Sequence, residues 1–223
     1  MNTTKYTLAL SLTGLVSLPA AVVTLSTPDI NGGVSTTSSF SDGNLTLTPL
    51  QGTSAATFNA HGIRLGIDDF GTNANSFNDP DTDPNNGNEE KLQFDFAPTV
   101  GLSSISYDFS RADGTGANDG VIISGFTADP GVTFSISNAN LFAVYNAGSV
   151  RLNLPGSLFD GTETFINFDP AASAGQTLLL SVTDTTQAGA QLAIRSISYD
   201  TIPEPSSTAL LALGGLALLR RRR

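Results

Sequence analysis

The sequence predicts an all-β protein, an antiparallel β-sandwich or jelly roll, flanked by an N-terminal signal helix and a short C-terminal transmembrane helix. Three observations predict this class. Short runs with apolar residues at every second position recur along the chain, turn-forming residues separate the runs, and an apolar segment lies near each end. About ten to twelve such runs are typical of sandwiches and jelly rolls.

The first 26 residues predict a secretory signal peptide. Lys5 supplies the positive charge, and an apolar run covers residues 7–23, which is the order found in export signals. Thr24 and Ser26 are acceptable small residues before a cut, whereas Leu18 and Pro19 disfavour cuts after Ala20 and Ala21, so the predicted cleavage lies between Ala21 and Ser26. The alternatives are a buried helix or an uncleaved anchor, and the position, the length and Pro19 favour a cleaved signal.

Alternation identifies the strands of the predicted β-sandwich domain, residues 27–202. LQFDF (residues 92–96) and ISYDF (residues 105–109) each place their first, third and fifth side chains on one face, which predicts that Phe94 and Tyr107 are buried. Further strands are predicted, in chain order, at LTLTP, IRLGI, VIISGF, VTFSI, LFAVY, VRLNL, TFINF, LLLSV and LAIRSISY. In LAIRSISY the apolar phase changes between Ile194 and Ile197, which predicts a β-bulge.

Composition restricts the partners. The chain has a net charge of −10, and residues 27–202 contain 5 basic and 19 acidic residues. Such a negative field repels a phosphate backbone, so nucleic acid is not an expected partner, whereas cations and neutral polymers are compatible with it. The chain has no cysteine, so an exported domain of this sequence is stabilised without disulfides.

The longest polar loop contains a pattern of carboxylates that suits calcium. Asp79, Asp81 and Asp83 alternate, and Glu90 is at position 12 if Asp79 is position 1, as in an EF-hand loop. Pro84 stands where that motif has glycine, and no helices flank the loop, so an EF-hand proper is not expected. Two interpretations stay open: a shallow calcium site, and a solvated turn with Glu90 starting the next strand.

Catalytic motifs are mostly absent from the sequence, which has neither a G-x-S-x-G elbow nor an H-E-x-x-H helix. His61 is the only histidine, and a lone histidine at a strand start is more often a surface or capping residue than a base. No pair of acids is singled out for glycoside hydrolysis. Without tryptophan, the rings that could stack on a sugar are tyrosines such as Tyr107, Tyr145 and Tyr199, whose alternation with isoleucine indicates core. No catalytic residue is therefore predicted.

The C-terminal segment, residues 203–223, combines three features in order. Pro203 and Pro205 hold the chain extended around Glu204, because each proline fixes its own φ and disfavours helix in the residue before it. An uncharged run, residues 206–219, follows, shorter than the roughly 20 residues that cross a bilayer comfortably. Its residues 209–219 are apolar apart from two glycines. Four arginines, which the positive-inside rule keeps on the cytoplasmic side, end the segment: Arg220, Arg221, Arg222 and Arg223.

This order of Pro203-Glu204-Pro205, a short apolar helix and an arginine cluster resembles the PEP-CTERM sorting signal of exported bacterial proteins. The resemblance implies export through the secretory translocon and a transient intermediate in the inner membrane. It further implies processing by an exosortase-class protease and arrival at the cell surface or extracellular matrix of bacteria rich in exopolysaccharide. It does not specify what the body does.

Three classes of function stay open for the body. The first is a non-catalytic β-sandwich associated with exopolysaccharide in a biofilm, which the sorting tail, the acidic body and the missing catalytic motifs favour. The second is a specific carbohydrate-binding module, and the third is an exported glycan-active hydrolase. Calcium is the one cofactor that the sequence suggests.

Overall fold

The computed structural model describes residues 21–24, 39–51, 53–61, 64–68, 77–78, 90–111, 120–136, 139–153, 163–183 and 191–202. Within them it contains sixteen strands and one short 3-10 helix, Pro170–Ala172. The strands are β1 (Ala21–Thr24), β2 (Phe40–Ser41), β3 (Leu45–Gln51), β4 (Ser54–Ala55), β5 (Thr57–His61), β6 (Arg64–Asp68), β7 (Phe77–Asn78), β8 (Glu90–Phe96), β9 (Val100–Arg111), β10 (Gly120–Ser124), β11 (Thr133–Phe134), β12 (Phe142–Asn146), β13 (Ser149–Asn153), β14 (Thr164–Asn167), β15 (Thr177–Thr183) and β16 (Gln191–Thr201).

The strands form two antiparallel sheets. The first, which we call the β9–β16 sheet, has the order β11-β14-β9-β16-β6-β5, and β1 and β7 also pair with β16. The second, the β8–β15 sheet, has the order β12-β13-β10-β15-β8-β3-β2, with β4 paired to β3. The predicted all-β class with antiparallel pairing is therefore confirmed.

The inward side chains of both sheets form one hydrophobic core. Phe94 from the β8–β15 sheet and Tyr107 from the β9–β16 sheet are both 0% exposed and belong to the same buried cluster. The rings of Phe126 and Phe168 stack within this cluster, with centroids 5.9 Å apart. The burial of Phe94 and Tyr107 confirms the strand faces that alternation predicts.

The predicted β-bulge lies in β16. Ile194 pairs with Tyr107 of β9 and Ser196 with Ser106, so Arg195 is the extra residue. The bulge keeps the apolar residues on both sides of Arg195 directed into the core. A sequence that changes its apolar phase without a bulge would turn half of the strand outward.

Several features differ from the sequence prediction, among them the two-residue strands β2, β4 and β7, which the sequence did not indicate. The VTFSI run gives a strand of only two residues, β11, which lies at an end of its sheet. Strand β5 was not predicted, because alanine, asparagine and histidine in TFNAH mask the alternation; its register comes from pairing with β6. His61 is accordingly the last residue of β5, not the start of a strand.

Strand β1 falls within the predicted signal peptide. Ala21–Thr24 is extended and pairs with Ser196–Tyr199 of β16, so the expected helix does not include these four residues. The preceding residues of the predicted signal and the predicted C-terminal helix lie outside the described part of the chain. None of the helices within that part has the length and apolar character that crossing a membrane requires.

Candidate functional site

The predicted sorting residues follow directly on the last described strand. β16 ends at Thr201, which pairs with Val100, and the Ile202 N–H donates to the Thr99 carbonyl at 2.6 Å. Pro203 cannot extend this ladder, because proline has no N–H to donate. The sheet therefore holds the chain up to the residue before the predicted processing motif. Pro203, Glu204, Pro205 and the four terminal arginines lie outside the described residues.

A polar contact between the two sheets fixes the end of β16. The Tyr199 hydroxyl donates to Asp42 Oδ2 at 2.5 Å, and Asp42 lies in the turn between β2 and β3 of the other sheet. Asp42 Oδ1 accepts the backbone N–H groups of Asn44 and Leu45, each at 2.9 Å. We call this contact the Tyr199–Asp42 latch. It anchors the strand that leads into the predicted sorting segment.

The latch perturbs both ionisable groups. Burial raises the pKa of Tyr199 above its ordinary value of 10.0, and the adjacent Asp42 raises it further. Burial also pulls the pKa of Asp42 upward, but the hydrogen bonds from Tyr199, Leu45 and Asn44 outweigh it and lower the pKa below 3.8. Both shifts favour the state in which Tyr199 is neutral and Asp42 is ionised.

The predicted calcium loop connects the two sheets. Phe77–Asn78 pairs with β16 in one sheet, whereas Glu90 opens β8 in the other and pairs with Gln51. Cα atoms of β7 and β8 approach within 8 Å of each other. The residues on either side of the loop are therefore held close together.

The predicted calcium ligands are not brought together in the described part of the chain. Asp79, Asp81 and Asp83 lie outside the described residues, and of Glu90 only the backbone is described. Among the residues that the structure does describe, no three His, Asp or Glu side chains form a group that could hold a metal ion. Calcium binding therefore stays a prediction.

The tyrosines divide into two kinds. Tyr107 and Tyr199 are 0% and 4% exposed, which confirms their predicted place in the core and removes them as platforms for a sugar. Tyr145 in β12 is 36% exposed, so the prediction that it belongs to the core is wrong. The Tyr107 hydroxyl is buried, and within the described part of the chain no group meets hydrogen-bond geometry with it. Burial raises its pKa well above 10.0, and the side chain of Thr164, opposite Tyr107 on β14, offsets part of that rise.

The outer face of the β9–β16 sheet carries four buried serines. Ser106 and Ser196 share a hydrogen bond between their hydroxyls at 2.5 Å, and Ser104 pairs with Ser198 beside them. Within the described part of the chain, the hydrogen-bond partner of each hydroxyl in the first pair is thus the other serine. His61, the only histidine of the chain, lies at the end of β5, opposite Arg64.

Sequence reasoning predicted strand β12 but missed its exposure. LFAVY was predicted as a strand, but Phe142 and Val144 are 50% and 52% exposed. The one signal in the sequence is that apolar residues occupy four successive positions from Phe142 to Tyr145, which a strand with one solvated face does not need.

Comparison with known proteins finds one match. Residues 201–223 match the family model described as the PEP-CTERM protein-sorting motif. No curated protein and no solved structure matches the chain significantly.

Proposed function

We propose that this chain, which carries a PEP-CTERM protein-sorting motif at residues 201–223, is an exosortase-processed surface or matrix protein with a non-catalytic β-sandwich body. The motif at residues 201–223 carries this proposal. It implies export and an intermediate anchored in the membrane, with an exosortase as the processing enzyme. The association of the body with extracellular polysaccharide in a biofilm is the finer part of the proposal.

The geometry next to the motif supports processing at Pro203-Glu204-Pro205. A protease needs an extended substrate outside the folded body, and loops and ends without a regular ladder are the usual sites of cleavage. The last described backbone hydrogen bond is made by Ile202, and the Tyr199–Asp42 latch holds the strand just before it. Cleavage after Ile202 would leave both contacts intact, so the body loses no strand at this end.

The strand order supports a jelly roll as the architecture of the body. Eight strands, taken in chain order, are β6, β8, β9, β10, β13, β14, β15 and β16. Their paired orders are β6-β16-β9-β14 and β8-β15-β10-β13. When these eight strands are numbered 1 to 8 in chain order, one sheet has the order 1-8-3-6 and the other has the order 2-7-4-5. This is the arrangement of two Greek keys wrapped into a sandwich.

Processing is tested by intact mass spectrometry of the protein from its native host. We expect a surface-exposed chain that starts between Val22 and Thr27 and ends near Pro203-Glu204-Pro205. Replacing these three residues with alanine should leave the full C-terminal segment on a membrane-bound chain. The matched control replaces Ser206 and Ser207, which lie in the same segment but outside the Pro203-Glu204-Pro205 triplet, and should be processed normally. A surface form that retains Arg220–Arg223 contradicts the proposal.

The role of the body is tested separately. A matrix protein without catalytic activity should co-fractionate with the extracellular polysaccharide of the host and should not change the size of its chains. Release of the protein by mild washing, with no retention on the polysaccharide, contradicts the association. Turnover of host glycans by the purified body identifies a hydrolase and contradicts the non-catalytic role.

A further inference from the structure

Strand β12 is the outer strand of the β8–β15 sheet. It pairs with β13 on one side, and within the described part of the chain no strand pairs with its other side. Edge strands present unpaired backbone groups to other chains, and natural proteins usually protect them with charged residues, proline or bulges. The segment from Leu141 to Asn146 contains no charged residue and no proline, and its pairing with β13 has no register shift.

The turn after β12 determines which backbone groups face outward. Asn146 pairs with Ser149 across Ala147-Gly148, whose φ angles are 47° and 85°. Two successive positive φ values in a two-residue loop are typical of a type I′ hairpin, which closes on a hydrogen-bonded pair. Counting back from Asn146, every second residue of β12 then bonds its backbone N–H and C=O groups to β13, namely Asn146, Val144 and Phe142. The N–H and C=O groups of Ala143 and Tyr145 consequently point away from β13, to the free edge.

The side chains of this edge are apolar and exposed. Phe142 and Val144 lie on the outer face of the sheet and are 50% and 52% exposed, and Tyr145 is 36% exposed. In a chain with a net charge of −10, residues 141–146 carry no carboxylate, and the charged side chain opposite Val144 on the neighbouring strand is that of Arg151. Pairing there would remove apolar surface from water, which is favourable in proportion to the area buried.

We propose that β12 pairs with β12 of a second copy of this chain, in an antiparallel register with the two-fold axis at Val144. The register follows from the backbone N–H and C=O groups of Ala143 and Tyr145, which point to the free edge. Ala143 of each copy faces Tyr145 of the other, which gives about four backbone hydrogen bonds across the interface. The two Val144 residues meet as a non-hydrogen-bonded pair, and Phe142 lies opposite Asn146.

A second copy fits this edge because the strand is self-complementary. A two-fold interface requires the same patch on both partners, and here the outward donors and acceptors of Ala143 and Tyr145 match their own symmetry mates. The new pairing joins two β8–β15 sheets into one continuous sheet. A dimer of this kind on the cell surface would present both bodies in one rigid unit, independently of how the C-terminal segment is processed.

The register is tested with single cysteines in the full-length chain, which has none of its own. Non-hydrogen-bonded pairs place Cα atoms about 4.5 Å apart, within the range that a disulfide bridges. Val144→Cys should therefore form a disulfide-linked dimer under mild oxidation. Phe142→Cys is the matched control, since it has the same face and exposure. Its symmetry mate is four residues away along the strand, about 14 Å, beyond the reach of a disulfide.

We expect Val144→Cys to cross-link at least about ten times faster than Phe142→Cys, with both variants melting at the wild-type temperature. Equal rates in the two variants, as random collision or association through the apolar ends would give, overturn the proposal, and so does the absence of cross-linking in both. Size-exclusion chromatography with light scattering gives a second readout: Val144→Asp should shift dimer formation to at least about tenfold higher protein concentration. If Val144→Asp instead releases the chain from polysaccharide while Val144→Cys stays monomeric, the edge binds glycan and the proposal is overturned.

Discussion

Two buried tyrosines differ in a single hydrogen bond. Tyr199 donates its hydroxyl to Asp42 at 2.5 Å, whereas the hydroxyl of Tyr107 is buried without a partner in the described part of the chain. A buried polar group that lacks a partner costs free energy, while one bonded to a charged acceptor contributes it. The two hydroxyls therefore act on stability with opposite signs, although both rings fill the same core.

Replacing each tyrosine with phenylalanine separates these effects. Tyr107→Phe should raise the free energy of unfolding by about 1 kcal/mol, because it removes an unsatisfied group and keeps the ring. Tyr199→Phe should lower it by about 1 kcal/mol, a value discounted because Asp42 is exposed to solvent. Urea unfolding of the two variants and the wild type gives both numbers. A loss of stability in Tyr107→Phe would show that its hydroxyl does bond a group.

The same groups predict how stability depends on pH. The pKa of Asp42 is lowered below 3.8 in the folded state, so the native state binds fewer protons than the unfolded state and stability falls as pH drops through that range. The pKa values of Tyr107 and Tyr199 are raised above 10.0. The native state then keeps protons that the unfolded state loses, and stability falls as pH rises above 10.

The midpoints of urea unfolding, measured across the pH range, test this predicted dependence of stability on pH. Tyr199→Phe should flatten both limbs, because it removes one raised phenol and one of the donors that lower the pKa of Asp42. Tyr107→Phe should flatten the alkaline limb and leave the acid limb unchanged. An acid limb that is equally steep in wild type and Tyr199→Phe contradicts the role of the latch.

At the level of the elements, β1 belongs both to the predicted signal peptide and to the β9–β16 sheet. It covers the edge of β16 at Ser196–Tyr199, yet it lies within the segment predicted to be cleaved. Removal of the signal after residue 26 would take this strand away and leave the β9 side of β16 paired. The backbone groups that β1 satisfies would then face solvent.

Hydrogen exchange measured by mass spectrometry tests this consequence. A chain that starts at Thr27 should exchange the β16 amides bonded to β1 faster than a chain that retains residues 21–26, because an unpaired edge has no ladder to protect it. The amides of β9 that pair with the same stretch of β16 serve as the control and should exchange equally in both chains. Identical exchange at residues 196–199 would mean that β1 does not protect this edge.

Local patterns account for the elements that the sequence predicted. Leu92, Phe94 and Phe96 alternate large apolar residues with polar ones, and burial follows from that period alone. The bulge at Arg195 follows from a phase change within one strand. The sorting motif is also local, since its three parts are contiguous, and the family match at residues 201–223 confirms it.

Non-local pairing explains what the sequence could not predict. The bond between Ser106 and Ser196 joins residues 90 positions apart, and no periodicity specifies which strands meet at that distance. The exposure of β12 depends on its place at the end of the sheet order, and β1 depends on a free edge of β16. The latch from Tyr199 to Asp42, 157 residues apart, has the same origin.

On the scale of the whole molecule, the predicted calcium loop joins the two sheets. β7 belongs to the β9–β16 sheet and β8 to the β8–β15 sheet, and the three alternating aspartates lie on the connection between them, with Glu90 at its end. Carboxylates gathered in one loop repel each other unless solvent or a cation separates them. A bound calcium ion would remove that repulsion and tie the two sheets together at this point.

Calcium should therefore raise the melting temperature of the body, residues 27–202. A ligand that binds only the folded state adds about 2.7 kcal/mol at a hundredfold excess over its dissociation constant, which corresponds to about 5 to 10 °C for a domain of this size. The measurement compares melting in millimolar calcium with melting in chelator. Replacing Asp81 and Asp83 with asparagine and Glu90 with glutamine should abolish the shift. The matched control removes three aspartates that lie outside residues 79–90, by Asp113→Asn, Asp119→Asn and Asp160→Asn, and should keep it. Coincident curves for the wild type, or a shift that survives the loop replacements, would identify the loop as a solvated turn.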